Sequence, residues 1–522
     1  MPAIIENWRI EKPEMRSRHG LVASQARLGA EAGAGIMAAG GNAVDGAVAT
    51  AFALASAEPW MSGIGGIGFM VVYIAAERRA YALDFGPIAA RGIDPARYPL
   101  SGKPASDDLF GWPGVIEDRN VRGYESIAVP GSVDGLGLAH ERFGKLAWSE
   151  LLQPAIKLAE AGHRVDWWST LNISAEAHDL KDDRNAAAVY LPNGLPPITL
   201  DAAKPKRLSL GALPATLKRL AGAGRRDFYE GEIAGKLAAD LARGGSKIAL
   251  ADLAAYRATL HDAVEIPYGK ATLNVPPGLN AAPTLAFALK QLPKNLAAGD
   301  KRPGPKAFLA YAKALAEAYR VRLESMGADG DKAGKGTTTH LSVVDRDGNM
   351  VSLTNTLLSR FGSRAVLPET GILMNNGMMW FDPAPGKPNS IGPGKRPLTN
   401  MCPLIASRDG APWFAIGGSG GRKILPAVMQ VASFLVDFGM GLGEAFHHPR
   451  IDVSAPDSGT MDQRLPPEIK SALSAALPMS EVEATVLPGN FANPIAVLRE
   501  ANGENVGMTQ VTLPAATVAA AG

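Results

Sequence analysis

Cysteine is almost missing from this sequence, since only Cys402 occurs in 522 residues. One thiol cannot form a disulfide within the chain, and it cannot build the multi-cysteine sites that bind zinc or iron–sulfur clusters. Cys402 lies in an apolar run and is predicted to be a buried core thiol. His447 and His448 are adjacent and cannot share a helix face, so neither a metal site nor a cofactor is expected.

Excess charge and long apolar runs are also lacking. The chain has 53 Lys and Arg against 51 Asp and Glu, which argues against nucleic acid or an anionic membrane as a partner. The longest apolar stretches, near Gly46–Ala57 and Ile64–Ala76, are shorter than the ~18 residues of a membrane-spanning helix. The N-terminus has no apolar core of a signal peptide. These absences predict a soluble, cytoplasmic protein.

Glycine and alanine are abundant and indicate tightly packed small-residue helices with many turns. Residues Gly20–Tyr73 predict a strand, two helices and, after a Gly-rich turn, a second strand. Further helices are predicted by periodicity at Ser149–Gly162, Phe228–Arg243 and Pro305–Met326. The C-terminal tail Ala515–Gly522 is expected to be frayed.

A β-hairpin is predicted at Thr337–Leu357, two thirds of the way along the chain. Asp347-Gly348 supplies the turn, and this register sets Thr338 opposite Thr356 or Leu357. The preceding Ala328–Gly336, ADGDKAGKG, has no periodicity and is predicted to be an exposed linker. Two hydroxyls, from Thr338 and Thr356, are therefore expected side by side on adjacent strands.

The threonine run TTTH at the start of this hairpin has two interpretations. β-Branched residues suit a pleated strand, so threonines are common there without any chemical role. Alternatively, one threonine becomes a new N-terminus when the preceding peptide bond is cut. Its hydroxyl is then the nucleophile and its α-amine, with a pKa of roughly 7.7–8.0, is the base. A linker that enters a rigid strand is what such a cut requires.

Several segments decide between these interpretations. TTHLSVVDRDGNMVSLTNTL, GILMNN, PGKRPLTNMCPLI and GGSGGRKI resemble, in order, the catalytic half of the γ-glutamyltransferase family. The N-terminal half of that family is matched by GLVAS, GGNAVDGAVATAFAL, GGIGFMVV, AVPGSVDG and LLQPAIKLAEAG. The resemblance covers nearly the whole chain, and ordered matches are far more specific than any single one.

The resemblance implies an α+β fold, the four-layer αββα sandwich of the N-terminal-nucleophile hydrolases. It also implies a precursor that cleaves itself into fragments 1–337 and 338–522, which together form one αββα unit. Thr338 is then the nucleophile and Thr356 hydrogen-bonds it. The backbone N–H groups of Gly420 and Gly421 form the oxyanion hole, where bare backbone most easily approaches a tetrahedral intermediate.

The positions that bind the α-amino-acid head of a γ-glutamyl substrate depart from the family pattern. Gly86 stands where a DFRE-like segment has its carboxylate-binding Arg. Leu358, Gly377 and Trp380 replace the Asn, Gln and Asp that receive the ammonium, and Thr399-Asn400 replaces a serine pair. A zwitterionic head desolvated without partners costs several kcal/mol, so glutathione is expected to be a poor substrate.

The sequence thus predicts a self-processing threonine amidohydrolase for a small amide without the glutamyl head. Oxamate amidohydrolases and cephalosporin acylases are divergent members that resemble this pattern. Arg422, after the oxyanion glycines, would contact a simple carboxylate or else be a solvated surface charge. A true γ-glutamyltransferase with a rebuilt head-group site and a non-catalytic scaffold remain alternatives. The expected partners are the substrate and the chain's own two fragments, and a homodimer is left open.

Overall fold

The computed structural model describes residues 10–104, 110–326, 338–487 and 489–522. The predicted linker at Ala328–Gly336, and Gly327 and Thr337 beside it, lie outside the described residues. The helices of the described part are α1 (Arg27–Ala38), α2 (Ala43–Ala57), α3 (Ser132–Phe143), α4 (Trp148–Ala161), α5 (Trp167–Leu180), α6 (Arg184–Tyr190), α7 (Leu213–Ala223), α8 (Asp227–Glu230), α9 (Glu232–Arg243), α10 (Leu250–Ala255), α11 (Ala282–Gln291), α12 (Pro305–Val321), α13 (Ile424–Val436), α14 (Leu442–His447) and α15 (Pro467–Ala476).

The strands of the described part are β1 (Met15–Ser17), β2 (Gly20–Ser24), β3 (Ile67–Ile74), β4 (Arg79–Phe85), β5 (Leu100–Pro104), β6 (Pro113–Val115), β7 (His163–Arg164), β8 (Arg207–Leu208), β9 (Thr259–Asp262), β10 (Val264–Tyr268), β11 (Ala271–Val275), β12 (Thr339–Val344), β13 (Met350–Thr356), β14 (Val366–Leu367), β15 (Ile372–Leu373), β16 (Leu404–Arg408), β17 (Ala411–Ser419), β18 (Ile451–Asp452), β19 (Gly459–Asp462), β20 (Met479–Val482), β21 (Asn493–Arg499), β22 (Asn505–Thr509) and β23 (Thr517–Ala521).

Two antiparallel sheets of seven strands form the centre of the molecule. Sheet I has the strand order β23-β2-β12-β13-β3-β4-β9, and sheet II has the order β1-β22-β21-β17-β16-β11-β10. Apolar side chains from both sheets pack face to face, for example Val71 and Tyr73 of sheet I with Ile405 and Val497 of sheet II. This interface buries one face of each sheet.

Helices cover the outer face of each sheet. The small-residue helices α1 and α2 pack on sheet I through a core that includes Val22, Leu341 and Leu353. Helices α11, α12 and α13 pack on sheet II against residues such as Leu273 and Phe414. The stack is therefore helices, sheet, sheet and helices, which confirms the predicted αββα architecture.

Local predictions are confirmed where periodicity is strong. The strand–helix–helix–strand order of the N-terminal segment is observed as β2, α1, α2 and β3, and α4 occupies the predicted helix at Ser149–Gly162. The helix predicted at Phe228–Arg243 is instead split at Gly231 into α8 and α9. The helix predicted at Pro305–Met326 ends at Val321 and continues as a π-helical turn, Arg322–Met326.

The prediction of a frayed tail at Ala515–Gly522 is wrong. Residues Thr517–Ala521 form β23, which pairs with β2 and forms an edge of sheet I. The pairing satisfies backbone groups along the edge of β2, and this explains why an Ala-rich tail is ordered. None of the helices in the described ranges is long and apolar enough to cross a membrane.

Candidate active site

Strands β12 and β13 form the predicted hairpin in the middle of sheet I. Their register runs from Val344 opposite Met350 to Thr339 opposite Asn355, so the next pair outward is Thr338 and Thr356. The turn is closed by the Asp345 carboxylate, whose Oδ1 accepts hydrogen bonds from the N–H groups of Asp347 and Asn349 at 3.0 and 2.9 Å. The predicted register is therefore confirmed for the described residues.

The Thr338 and Thr356 hydroxyls meet at the end of this hairpin. Both residues are buried, and the Thr356 hydroxyl donates to Thr338 Oγ1 at 3.4 Å. This contact is longer than the ~2.7–2.8 Å typical of hydroxyl pairs. Thr356 Oγ1 also accepts a hydrogen bond from the Leu358 N–H at 2.8 Å, which fixes its orientation.

His340 shows which face of the hairpin carries these hydroxyls. Alternation puts Thr338, His340 and Ser342 on one face, and His340 is buried with its Nδ1 at 3.0 Å from Thr354 Oγ1 and its Nε2 at 3.1 Å from Ser342 Oγ. A β-carbon on Gly417 of sheet II would lie 2.3 Å from the His340 ring, so this face points toward sheet II. Burial lowers the pKa of His340 to about 3, and the ring is neutral and structural.

Gly420 and Gly421 lie toward the same end of the sheet interface as Thr338. Ser352, which pairs with Ser342, donates to the Ile416 carbonyl at 2.9 Å, while His340 packs on Gly417. Moving from Ser342 toward Thr338 along β12 thus corresponds to moving from Ile416 toward Gly420 along β17.

The backbone of this glycine pair requires glycine. The φ angles are +133° at Gly420 and +61° at Gly421, both in the left-handed region. A β-carbon on Gly420 would also lie 2.9 Å from Ala492 Cα. The geometry is compatible with a backbone oxyanion hole, and that role stays a prediction.

Glu58 is a feature that the sequence reasoning missed. It is fully buried at the end of α2, and its Oε2 accepts a hydrogen bond from the Thr339 hydroxyl at 3.0 Å, on the opposite face of β12 from Thr338. Burial raises the pKa of Glu58 to about 8. The sequence could have indicated this buried carboxyl group, because Glu58 is the one charged residue in the apolar segment between Gly46 and Tyr73.

The Gly-rich turn before β3 brings backbone against the site. A β-carbon on Gly66 would lie 2.7 Å from the Thr356 carbonyl oxygen. The Gly66 carbonyl accepts hydrogen bonds from Gly131 N–H and Ser132 N–H at 2.8 and 3.0 Å, and the Ser132 hydroxyl donates to Asn355 Oδ1 at 2.6 Å. Two of the sequence motifs, GGIGFMVV and AVPGSVDG, therefore support the end of β13.

Gly86 stands at the position where the family resemblance predicts a carboxylate-binding Arg, and protein atoms lie close to it. A β-carbon on Gly86 would lie 3.1 Å from Asp84 Oδ1 and 3.2 Å from Phe69 Cζ. Asp84 Oδ1 also accepts from the Gly86 N–H at 2.8 Å and from Arg396 Nη1 at 3.1 Å. A side chain at position 86 would require Asp84 and Phe69 to move by a few tenths of an ångström.

The positions at which the family resemblance predicts an ammonium site lie among apolar groups. A β-carbon on Gly377 would lie 2.7 Å from Ala128 Cβ, so a Gln side chain has no room there. Leu358 and Trp380 are buried in one apolar cluster with Met379 and Met401. Leu358 has a φ of +87°, a strained value for a residue with a branched side chain.

Thr399, Asn400 and Arg422 are all buried. The Thr399 hydroxyl donates to the Leu279 carbonyl at 3.1 Å, and Asn400 Oδ1 accepts from Arg322 Nη2 at 3.0 Å. The Arg422 guanidinium lies 5.4 Å from the Trp112 ring centroid, so the interpretation of Arg422 as a solvated surface charge is wrong. Within the described ranges, no cluster of His, Cys, Asp and Glu could hold a metal ion.

The sequence model of gamma-glutamyltranspeptidase matches residues 29–334 and 322–503. The chain belongs to the γ-glutamyltranspeptidase family. An acylase ACY 1 proenzyme from Pseudomonas sp. (strain SE83) is 33% identical over 484 residues, 86% of this chain and 85% of the relative. A glutathione hydrolase proenzyme from Bacillus subtilis (strain 168) is 30% identical over 511 residues, 88% of this chain and 84% of the relative.

A solved structure confirms the fold of this γ-glutamyltranspeptidase-family chain. Cephalosporin acylase from Bacillus halodurans superposes with a TM-score of 0.83 at 23% identity, covering 99% of this chain and 98% of that one. The chain thus belongs to an enzyme family that includes acylase and glutathione hydrolase proenzymes, and it has the N-terminal-nucleophile hydrolase fold. Both of the curated relatives described above are named proenzymes.

Proposed function

We propose that this protein is a self-processing threonine amidohydrolase that acts on a small amide without an α-amino-acid head. The observation that supports it most is the meeting of the Thr338 and Thr356 hydroxyls, 3.4 Å apart, on a central buried hairpin. A buried hydroxyl pair on rigid strands suits a nucleophile that must be held in one orientation. Cleavage between Thr337 and Thr338 would give Thr338 its α-amine.

In the first step, the α-amine accepts the proton of the Thr338 hydroxyl while the oxygen attacks the amide carbonyl carbon. The resulting oxyanion is stabilised by backbone N–H groups of Gly420 and Gly421. The C–N bond then breaks, and the amine or ammonia leaves with the proton that the α-amine held. Thr356 keeps the nucleophilic oxygen oriented through its hydrogen bond.

In the second step, water attacks the Thr338 ester and gives its proton to the α-amine. The ester C–O bond breaks, the free acid leaves, and the proton returns to the Thr338 oxygen. No cofactor is needed for this balance of atoms. Replacement of water by an amine acceptor would convert hydrolysis into transfer.

The proposed substrate class follows from the head-group positions. Gly86 and Gly377 are tightly surrounded by protein atoms, so the Arg and Gln of a glutamyl site could not be added without displacing their neighbours. Trp380 and Leu358 supply apolar surface where an ammonium would need acceptors. Gly86→Arg alone is therefore expected to leave glutamyl activity unrestored.

Glutathione hydrolysis is the second candidate function, because a relative of that name is 30% identical. The acylase is 33% identical, so identity alone does not choose between the two. The apolar head-group positions favour the acylase-like activity. A non-catalytic scaffold is less favoured, since it would not need the buried hydroxyl pair.

The first test is processing. We expect denaturing gels to show two fragments, with N-terminal sequencing of the second beginning at Thr338. Thr338→Ala should remain one inactive chain, whereas Thr338→Ser keeps a hydroxyl and should still be cut, more slowly. A new N-terminus at Thr337 or Thr339 would contradict the assignment of the nucleophile.

The second test is a panel of amides followed by ammonia or amine release. We expect kcat/KM to be higher for small acyl amides, with or without a carboxylate, than for γ-glutamyl-p-nitroanilide or glutathione. A kcat/KM for glutathione above ~10⁴ M⁻¹s⁻¹, an ordinary value for an enzyme on its own substrate, would favour the second candidate function instead.

A further inference from the structure

Gln25 is a buried amide whose side chain crosses from sheet I to sheet II. It directly follows β2, and the pairing of Ser24 with Leu341 makes Gln25 and His340 the next pair outward. Gln25 is fully buried, and its Nε2 donates a hydrogen bond to Ser419 Oγ of β17. The side chain therefore joins the two proposed fragments in the interior, because Gln25 precedes the proposed cut and Ser419 follows it.

The amide of Gln25 lies at the level of Thr338 within the sheet interface. The His340 ring packs on Gly417. Two residues further along each strand, Thr338 at the start of β12 is level with Ser419 of β17, because residues on one face of a strand are two apart. Since Gln25 is hydrogen-bonded to Ser419, its amide is at the end of the interface where the new N-terminus is proposed.

The carbonyl oxygen of this amide has no donor. Gln25 Oε1 is buried, and it has no hydrogen-bond partner among the residues that the structure describes. Ser419 Oγ accepts from Gln25 Nε2 and also from Asn493 Nδ2, the latter at 3.4 Å, so the Nε2 end of the amide is held in place. A buried acceptor without a donor costs free energy, and beside a proposed catalytic group it indicates a functional role.

Two titratable side chains near Thr338 are not placed to accept a hydrogen bond from its nitrogen. Glu58 lies on the opposite face of β12, where its Oε2 is 3.0 Å from the hydroxyl of the next residue along the chain. Both ring nitrogens of His340 are within 3.1 Å of hydroxyl groups, and burial lowers the pKa of this ring to about 3. Gln25 Oε1, by contrast, lies on the same face as Thr338 and is free to accept.

We propose that Gln25 is a positioning residue for the α-amine of Thr338, which donates a hydrogen bond to Gln25 Oε1 once the chain is cut. The inference rests on the proposed function, because only the proposed cut creates this amine. Water gives OH to the carbonyl carbon before Thr338 and H to its nitrogen, so one peptide N–H becomes an amine with two N–H groups. Gln25 then holds the amine beside the hydroxyl whose proton it accepts. Through Ser419, Gln25 also fixes the residue before Gly420 of the proposed oxyanion hole.

The test measures the pKa of the Thr338 α-amine in the self-cleaved protein and needs no substrate. Trace acetic anhydride acetylates only neutral amines. Mass spectrometry of the peptide that begins at Thr338, over about pH 5 to 10, therefore gives this pKa. Gln25→Met removes the acceptor and keeps the length of the side chain, whereas Gln25→Glu replaces the amide with a carboxylate. Gln430→Met is the matched control, because Gln430 is also fully buried but bonds Pro426 and Ile451 on the outer side of sheet II.

We expect Gln25→Glu to raise the pKa of the α-amine by about one pH unit or more, because a nearby carboxylate favours the ammonium form. Gln25→Met should lower this pKa, because the ammonium loses an acceptor, and Gln430→Met should leave it at the wild-type value.

The same α-amine pKa in wild type and both Gln25 variants would overturn the inference and leave the proposed function standing. Failure of both Gln25 variants to cut themselves, when Gln430→Met is cut normally, would do the same, since Gln25 would then act before the amine exists. A wild-type protein without an N-terminus at Thr338 would overturn the inference and the proposed function together.

Discussion

At the scale of single residues, Thr356 tests the geometry of the proposed site. Thr356→Val keeps the shape and the β-propensity of the side chain but removes the hydroxyl that donates to Thr338. We expect the protein to fold and the rate of amide hydrolysis to fall by about 10- to 1,000-fold, the scale of losing one catalytic hydrogen bond. Steady-state kinetics measure this change, and Thr354→Val, which alters the contact to His340, is the control on the same strand.

An unchanged rate in Thr356→Val would mean that the hydroxyl contact has no part in catalysis. A loss of folded protein in both valine variants would point to packing of the hairpin instead. Circular dichroism and thermal melting separate these outcomes.

Glu58 should make the stability of the protein depend on pH. Its pKa is raised from 4.5 to about 8 by burial, so between these values the folded state holds a proton that the unfolded state has lost. Stability therefore falls as pH rises from about 4.5 to 8, by up to about 1.4 kcal/mol per pH unit. Glu58→Gln keeps an acceptor for the Thr339 hydroxyl and cannot ionise.

The measurement is the melting temperature of wild type and Glu58→Gln at pH 5 and pH 8. We expect the melting temperature of Glu58→Gln, relative to that of the wild type, to be higher at pH 8 than at pH 5. The same difference at both pH values would show that Glu58 does not retain its proton in the folded protein.

The sequence predicted some of these residues and not others for a physical reason. The pairing of Thr338 with Thr356 was predicted because hairpin register depends on local alternation and a turn, whereas their proposed catalytic roles came from the family resemblance. Arg322 was not found, since it follows a charged helix and resembles the exposed Arg320. Its burial is decided by how the end of α12 packs against the segment at Thr399 and Asn400, which is distant in sequence.

At the scale of elements, the C-terminal strand β23 is expected to be essential. Deleting Ala515–Gly522 removes the strand that pairs with β2 and exposes the edge of sheet I. We expect a loss of several degrees in melting temperature or a loss of soluble protein, because unpaired edges also promote aggregation. Deletion of Gly522 alone, which lies beyond β23, should change little. A full truncation with wild-type melting would contradict the importance of this pairing.

The break between α8 and α9 shows why helix boundaries were missed. Apolar periodicity continues across Gly231, so the pattern alone predicts one helix. The Asp227 carboxylate accepts hydrogen bonds from the N–H groups of Glu232 and Ile233, both at 3.2 Å, and thereby begins a new helix. This cap is local in sequence, but it depends on the polar residue Asp227, and a pattern of apolar residues does not register it.

At the scale of the whole molecule, the segments before and after Thr338 are interleaved. Strand β2 lies between β23 and β12, and β1 with β10 and β11 flank the four later strands of sheet II. We expect the two proposed fragments to co-elute in size-exclusion chromatography at any salt concentration, because backbone hydrogen bonds and apolar layers join them. Separation of the fragments without denaturant would contradict this expectation.

The layered architecture was predicted through family resemblance rather than through periodicity. Buried strands such as β12 and β13 have polar residues on both faces, including Thr339, Ser342 and Ser352, yet all are fully enclosed. Their pattern alone indicates a half-exposed hairpin. Burial on both faces arises because one face meets sheet II and the other meets α2, and neither contact is local in sequence.

Because the strands of the two proposed fragments are interleaved, refolding after the proposed cut differs from folding before it. Before the proposed cut, folding is a reaction within one molecule. After it, an unfolded sample consists of two separate chains, and recovery of β2 between β12 and β23 becomes a bimolecular encounter. The refolding rate of the cleaved protein would then depend on its concentration, or refolding would fail altogether. The lifetime of the folded, cleaved protein would be set by its rate of unfolding. The uncut Thr338→Ala chain, with the same sheets, should refold at any dilution.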